Sequence, residues 1–180
     1  MGCNQQGYKN PHILIITSFG DIEAELFPTQ APKTVAAFLS YIDSGYYTNS
    51  SFYRVLLQEA FSTEANTGLI QGGIWQTNDK QHSAVAGIVH EPTSQTRLSH
   101  TSGTLSLART TPGTGNTEFF ICIGDQSQFD EGNKNSNENP GFAAFGSVVS
   151  GMEIVRKIQL QSQQNQQFVK KVIIQSIQRL

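Results

Sequence analysis

Residue types able to bind and polarise a peptide are concentrated at positions 100–124, HTSGTLSLARTTPGTGNTEFFICIG. Two runs suited to strands, residues 104–108 and 119–123, enclose a loop of Arg, Thr, Pro, Gly and Asn, which favour turns and present backbone polar groups. Such a loop offers an extended peptide hydrogen bonds on one side and the ring of Phe120 on the other, as in a binding groove. A barrel hairpin with Phe119 and Phe120 both in the core accounts for this stretch equally well. A second residue with chemical potential is Arg54, a cation among apolar neighbours in SFYRVLL. Burying it without a partner would be costly, so it is expected to face solvent or a groove.

Other chemistries are disfavoured. Cys3 and Cys122 are the only cysteines, one in a polar tail and one inside FFICI, and His12, His82, His90 and His100 are scattered without ligand spacing, so neither a disulfide nor a metal is expected. No cofactor is implied. A net charge of -2 gives no basic footprint for nucleic acid. Every hydrophobic run falls well short of the ~20 residues that span a bilayer, so a soluble globular protein is expected. The 180 residues suit one domain, placed at 12–180 behind a flexible tail, 1–11. That tail has no apolar signal segment. A Cys followed by a short polar tether is nevertheless how a mature bacterial lipoprotein begins, so Cys3 is a candidate lipid anchor. The corresponding expectation is a monomer in the periplasm or cell envelope; the alternatives are an incidental Cys in a disordered terminus and a cytoplasmic protein.

The elements that must position these residues follow from periodicity. HILIIT (12–17) and the alternating run 21–26 predict a hairpin around the turn at 18–20. Pro32, then Val35, Phe38, Leu39 and Ile42, predict a helix over 32–44 that stops at Gly45 and closes an open end of a sheet structure. Strands are expected at 51–57, 69–73, 104–108, 119–123, 142–149 and 168–180, and a second helix at 152–160. Residues 58–68 and 125–141 read as loops, and QLQSQQNQQ as a solvated connection. Between 78 and 101 only AVAGIV looks ordered, and Trp75 reads as a core filler. The excess of strands predicts a mainly β protein, a closed antiparallel barrel with two capping helices.

The pieces FGDIEAELFPTQAPKTVAAFLSYIDSGYY, SFYRV, LIQGG, SHTSGTLSLART, TEFFICIGD and FAAFGSVVSGMEIVRKI occur in one order across most of residues 12–180. Together they resemble the cyclophilin-type peptidyl-prolyl cis-trans isomerases of the bacterial subtype, and the combination is specific where each piece alone is weak. The resemblance implies eight strands in the barrel and isomerisation of X-Pro bonds in proline-containing polypeptides, assisting protein folding. It further implies Arg54 and Gln71 as the catalytic pair, the latter bonding the substrate carbonyl. Leu69, Phe120 and Phe129 would line the proline pocket, and Ala108, Arg109 and Thr110 would form the edge that pairs with peptide backbone.

Several positions depart from the pattern. Residues 56–67 lengthen the connection after Arg54 by about nine residues relative to the family. Gly68 stands where a pocket phenylalanine is expected, and Phe61 of the insertion is a possible replacement. Glu118 replaces a glutamine and is expected to be able to pair with Arg54, part-neutralising it, or with Arg109. Gln128 fills a Trp or Phe position, and Phe142 a His or Tyr position in the groove, which should weaken binding of cyclosporin-like macrocycles. These changes leave open a catalytically weak or inactive module that binds proline-containing peptides as a chaperone or partner. A barrel holding a small apolar ligand is a third, less favoured reading.

Overall fold

Strands β1 (His12–Thr17) and β2 (Gly20–Leu26) form the predicted hairpin, with Ile13, Ile15, Ile22, Ala24 and Leu26 turned inward. In the computed structural model, which describes residues 7–59, 66–133 and 140–180, this hairpin starts a sheet that closes on itself. The remaining strands are β3 (Ser50–Gln58), β4 (Thr67–Gly73), β5 (Thr104–Leu107), β6 (Phe119–Ile123), β7 (Ala143–Ser150), β8 (Gln163–Gln164) and β9 (Gln167–Arg179). Their order is β1-β2-β7-β5-β6-β4-β3-β9, all antiparallel, and β1 pairs with β9 to complete an eight-stranded barrel. Closure leaves no open edge in the barrel. Cys3, Phe61 and residues 134–139 of the polar loop lie outside the described residues.

Helix α1 (Pro32–Asp43) buries Val35, Phe38, Leu39 and Ile42, and Phe38 meets Phe119 edge-on at 5.4 Å. Its first turn has no side-chain cap of its own, because Ala31 precedes it. The buried carboxylate of Glu91 takes that place, accepting from the amides of Lys33 (3.1 Å) and Thr34 (2.8 Å) and from the Thr34 hydroxyl (2.8 Å). Helix α4 (Met152–Gln159) packs at the other end of β4, where Gln159 donates to the carbonyls of Leu56 (3.2 Å) and Thr67 (2.8 Å).

The structure departs from the sequence reading in three connections. Residues 78–101, read as loop around an ordered AVAGIV, instead carry the short helices α2 (Asp79–Ala84) and α3 (Thr93–Thr96), giving four α-helices among the described residues rather than two. AVAGIV itself is not a strand, although Ile88 reaches the core. The Gln-rich connection contains β8, which turns into β9 through Asn165 and Gln166, both left-handed. Part of the insertion is strand: Leu56, Leu57 and Gln58 pair with Leu69, Gly68 and Thr67 and extend the β3–β4 ladder.

Candidate active site

Alternation along β6 separates two apolar clusters. Phe119, Ile121 and Ile123 enter the barrel core, while Phe120 and Cys122 join Leu69 in a second cluster on the outer face. The two phenylalanines therefore do different things, and Phe120 is not part of the barrel interior. Its ring meets Phe129 at 5.6 Å and Phe142 at 5.4 Å, both edge-on, so three aromatic rings wall one apolar hollow.

The polar side of the hollow depends on a bulge in β3. The register slips between Phe52 and Arg54, so Phe52 and Val55 both point into the core while Tyr53 and Arg54 both lie along the outer groove. Arg54 then stands directly across from Gln71, and its Nη1 donates to Gln71 Oε1 at 3.0 Å. Its Nη2 donates to Gln166 Oε1 at 2.8 Å. Neutral amide oxygens thus fix the guanidinium, and among the described residues no carboxylate pairs with it.

These groups surround a cavity of about 720 Å³ open to solvent. Arg54, Leu69, Gln71, Ala108, Arg109, Thr110, Glu118, Phe120, Phe129 and Phe142 all line it. The Arg109 guanidinium lies 4.5 Å from the centre of the Phe142 ring and donates to the Gly141 carbonyl through Nε at 3.1 Å. Tyr53, Trp75, His82 and Asn116 also line it, and Trp75 is 45% exposed, so it is a wall of the groove rather than a core filler. Gly68 contributes no wall: a Cβ there would sit 2.0 Å from the Leu56 carbonyl oxygen. Among the described residues no cluster of three or more His, Cys, Asp or Glu side chains is placed to hold a metal ion, and no helix is long and apolar enough to cross a membrane.

Glu118 pairs with neither arginine expected of it. It is buried, with Oε1 accepting from the amides of Ile74 (2.8 Å) and Trp75 (2.9 Å) and from the Thr117 hydroxyl (3.1 Å), and Oε2 accepting from the Tyr53 hydroxyl at 2.7 Å. His82 Nδ1 stands 3.5 Å away. Burial raises the Glu118 carboxyl pKa, opposed by these hydrogen bonds and by the His82 charge. Burial raises the Tyr53 phenol as well, reinforced by the Glu118 charge. Sequence reasoning missed Tyr53, because plain alternation sets it on the opposite face from Arg54. Gln166 and His82 come from segments read as loop. The consecutive Phe-Tyr-Arg-Val, with apolar residues three apart, was the only trace of the bulge.

The closed barrel thus carries on its outer face an aromatic hollow beside an arginine that meets no carboxylate among the described residues. Comparison with known proteins places it. The sequence profile of the cyclophilin type peptidyl-prolyl cis-trans isomerases matches residues 12–179. The chain is 36% identical over 143 residues to peptidyl-prolyl cis-trans isomerase B of Escherichia coli, covering 79% of this chain and 80% of that one. It is 33% identical over 150 residues to a peptidyl-prolyl cis-trans isomerase of Acinetobacter baylyi, covering 83% and 72%. A crystal structure of a cyclophilin type isomerase from Cryptosporidium parvum, in the presence of the dipeptide Ala-Pro, superposes with a TM-score of 0.69 at 25% identity, covering 92% of this chain and 96% of that one. The chain belongs to the cyclophilin-type peptidyl-prolyl cis-trans isomerase family, and its activity is the isomerisation of X-Pro peptide bonds.

Proposed function

We propose that this groove binds an extended, proline-containing segment with the proline ring against Phe120, Leu69, Phe129 and Phe142, and that Arg54 catalyses rotation of the X-Pro bond. The substrates are unfolded polypeptides, since an open groove on the outside of a barrel admits an extended strand and little else. Rotation is slow because amide resonance sets a barrier of ~20 kcal/mol. No nucleophile is required. The twisted amide loses conjugation, its nitrogen becomes pyramidal and basic, and a fixed cation aimed at it favours that state over the planar ones. Lowering the barrier by about 7 kcal/mol accelerates the reaction about 10⁵-fold. Gln71 assists by donating to the substrate carbonyl through its amide nitrogen.

The observation that carries this reading is that the charge of Arg54 is held by two amide oxygens and, among the described residues, by no carboxylate. Exchange spectroscopy on an Ala-Pro peptide tests it. Arg54→Ala should lower kcat/KM at least about 100-fold, corresponding to the loss of one preorganised electrostatic group. Unchanged exchange in that variant would end the assignment.

A further inference from the structure

The bonds around Glu118 continue beyond Tyr53. Glu118 Oε2 accepts from the Tyr53 hydroxyl at 2.7 Å, the Tyr53 oxygen accepts from Gln71 Nε2 at 3.0 Å, and Gln71 Oε1 accepts from Arg54 Nη1 at 3.0 Å. We propose that Glu118 is a positioning residue that acts through Tyr53 and Gln71 to fix which way the Gln71 amide faces and, with it, the Arg54 guanidinium. The proposal rests on the roles given above to Arg54 and Gln71.

The direction of the chain follows from its far end. A carboxylate only accepts, so the Tyr53 hydroxyl must donate to it. The phenol oxygen is then left to accept, which only the nitrogen of the Gln71 amide can satisfy. The Gln71 oxygen therefore faces Arg54, and the second hydrogen of its amide nitrogen stays free for a substrate carbonyl. A flipped amide would set two donors against each other at Arg54 and present no donor to the substrate. Gly73 makes the arrangement possible: it lies at φ +147°, and a Cβ there would collide with the Glu118 carboxyl group. The carboxylate can thus slide under the loop to reach the amides of Ile74 and Trp75 while still touching Tyr53.

Two variants isolate the relay from the fold. Tyr53→Phe leaves the bonds from Glu118 to Ile74, Trp75 and Thr117 in place and removes only the link. In E118Q the carboxamide oxygen must serve the two backbone amides, so its nitrogen faces the phenol and reverses the chain. Each variant should lower kcat on an Ala-Pro peptide about three- to tenfold, with KM nearly unchanged, as expected for one lost orienting hydrogen bond. The Gln71 side-chain amide resonances should move in both, and the double variant should be no slower than the slower single one. A merely structural Glu118 would lower the melting temperature in E118Q while leaving its Gln71 resonances native, and would leave Tyr53→Phe with native kcat, which overturns the relay. Arg54→Ala, run alongside, separates the two ideas: if it retains full activity the catalytic reading fails, and if it is inactive while Tyr53→Phe and E118Q turn over normally only the relay fails.

Discussion

Arg54 and Gln71 are cross-strand partners on β3 and β4, and the guanidinium of one donates to the amide oxygen of the other at 3.0 Å. With Gln166 on the second arm at 2.8 Å, the fork of Arg54 is held at two points by two different side chains. A lysine at this position has the charge without the fork. Arg54→Lys should therefore recover only a small part of the activity lost in Arg54→Ala, about a tenth of native kcat/KM or less, while peptide binding by titration stays within about threefold of native. Native turnover with lysine would show that charge alone suffices.

Gln166 offers a cleaner cut than Arg54 or Gln71, because its backbone and its side chain can be separated. It occupies a left-handed conformation at φ +64°, next to Asn165 at φ +51°, in the two-residue turn between β8 and β9. Glycine is favoured in such a turn. Gln166→Gly should hold or slightly raise the melting temperature and still lower kcat/KM about two- to fivefold, since one arm of Arg54 is released. Loss of stability without loss of activity would mean that the contact with Arg54 is incidental.

Glu91 supports a different part of the molecule, the unprotected start of α1, and its carboxylate is 1% exposed. Glu91→Ala leaves the buried Thr34 amide and the part-buried Lys33 amide without their acceptor and removes a negative charge from a helix N-terminus. The expected cost is about 2–3 kcal/mol, or roughly 5–10 °C in melting temperature. Isomerase activity measured well below that temperature should be native, because Glu91 does not line the groove. A melting temperature within about 1 °C of native would refute the capping role.

The barrel was legible in the sequence because short runs rich in β-branched and aromatic residues recur between turn residues, with clear alternation at 21–26, and α1 because Val35, Phe38, Leu39 and Ile42 recur at helical spacing. The eight groove residues that the resemblance assigns line one cavity, together with Glu118 and Phe142, which depart from the family pattern. What stayed hidden was local geometry that breaks alternation. The bulge at Tyr53 rotates one residue onto an unexpected face, and the partner of Glu118 changes with it, from an arginine to a phenol. Trp75 misled for a related reason: a large aromatic side chain usually fills a core, but here it stands at the groove, edge-on to Tyr53 at 5.5 Å. Residues 79–84 and 93–96 are too short and polar to show helical periodicity.

His100 ties the floor of the groove to pH. It is fully buried beneath Phe120, with the rings nearly parallel at 6.0 Å and Phe129 edge-on at 5.9 Å. Its Nδ1 lies 2.6 Å from Asp130 Oδ1 and its Nε2 2.9 Å from the Ser106 hydroxyl. The carboxylate can only accept, so Nδ1 carries the proton and Nε2 accepts from Ser106, which is the neutral ring. Burial lowers the pKa of His100 below its ordinary 6.5, and the hydrogen bond and charge of Asp130 oppose the shift without cancelling it. A depressed pKa in the folded state means that the unfolded chain takes up the proton first. The contribution of His100 is therefore complete above pH 6.5 and is lost as pH falls from 6.5 through the lower folded value. Over that window the native protein should lose stability more steeply than a His100→Gln variant, by a slope approaching about 1.4 kcal/mol per pH unit. Denaturant titrations of both proteins across the window measure the difference directly, and other carboxylates common to the two largely cancel. Parallel curves would show that the buried ring does not titrate on unfolding. A steeper native curve also implies that the folded ring stays neutral across the window, so affinity for an Ala-Pro peptide should hold there and fall only as pH passes the lower folded value of His100.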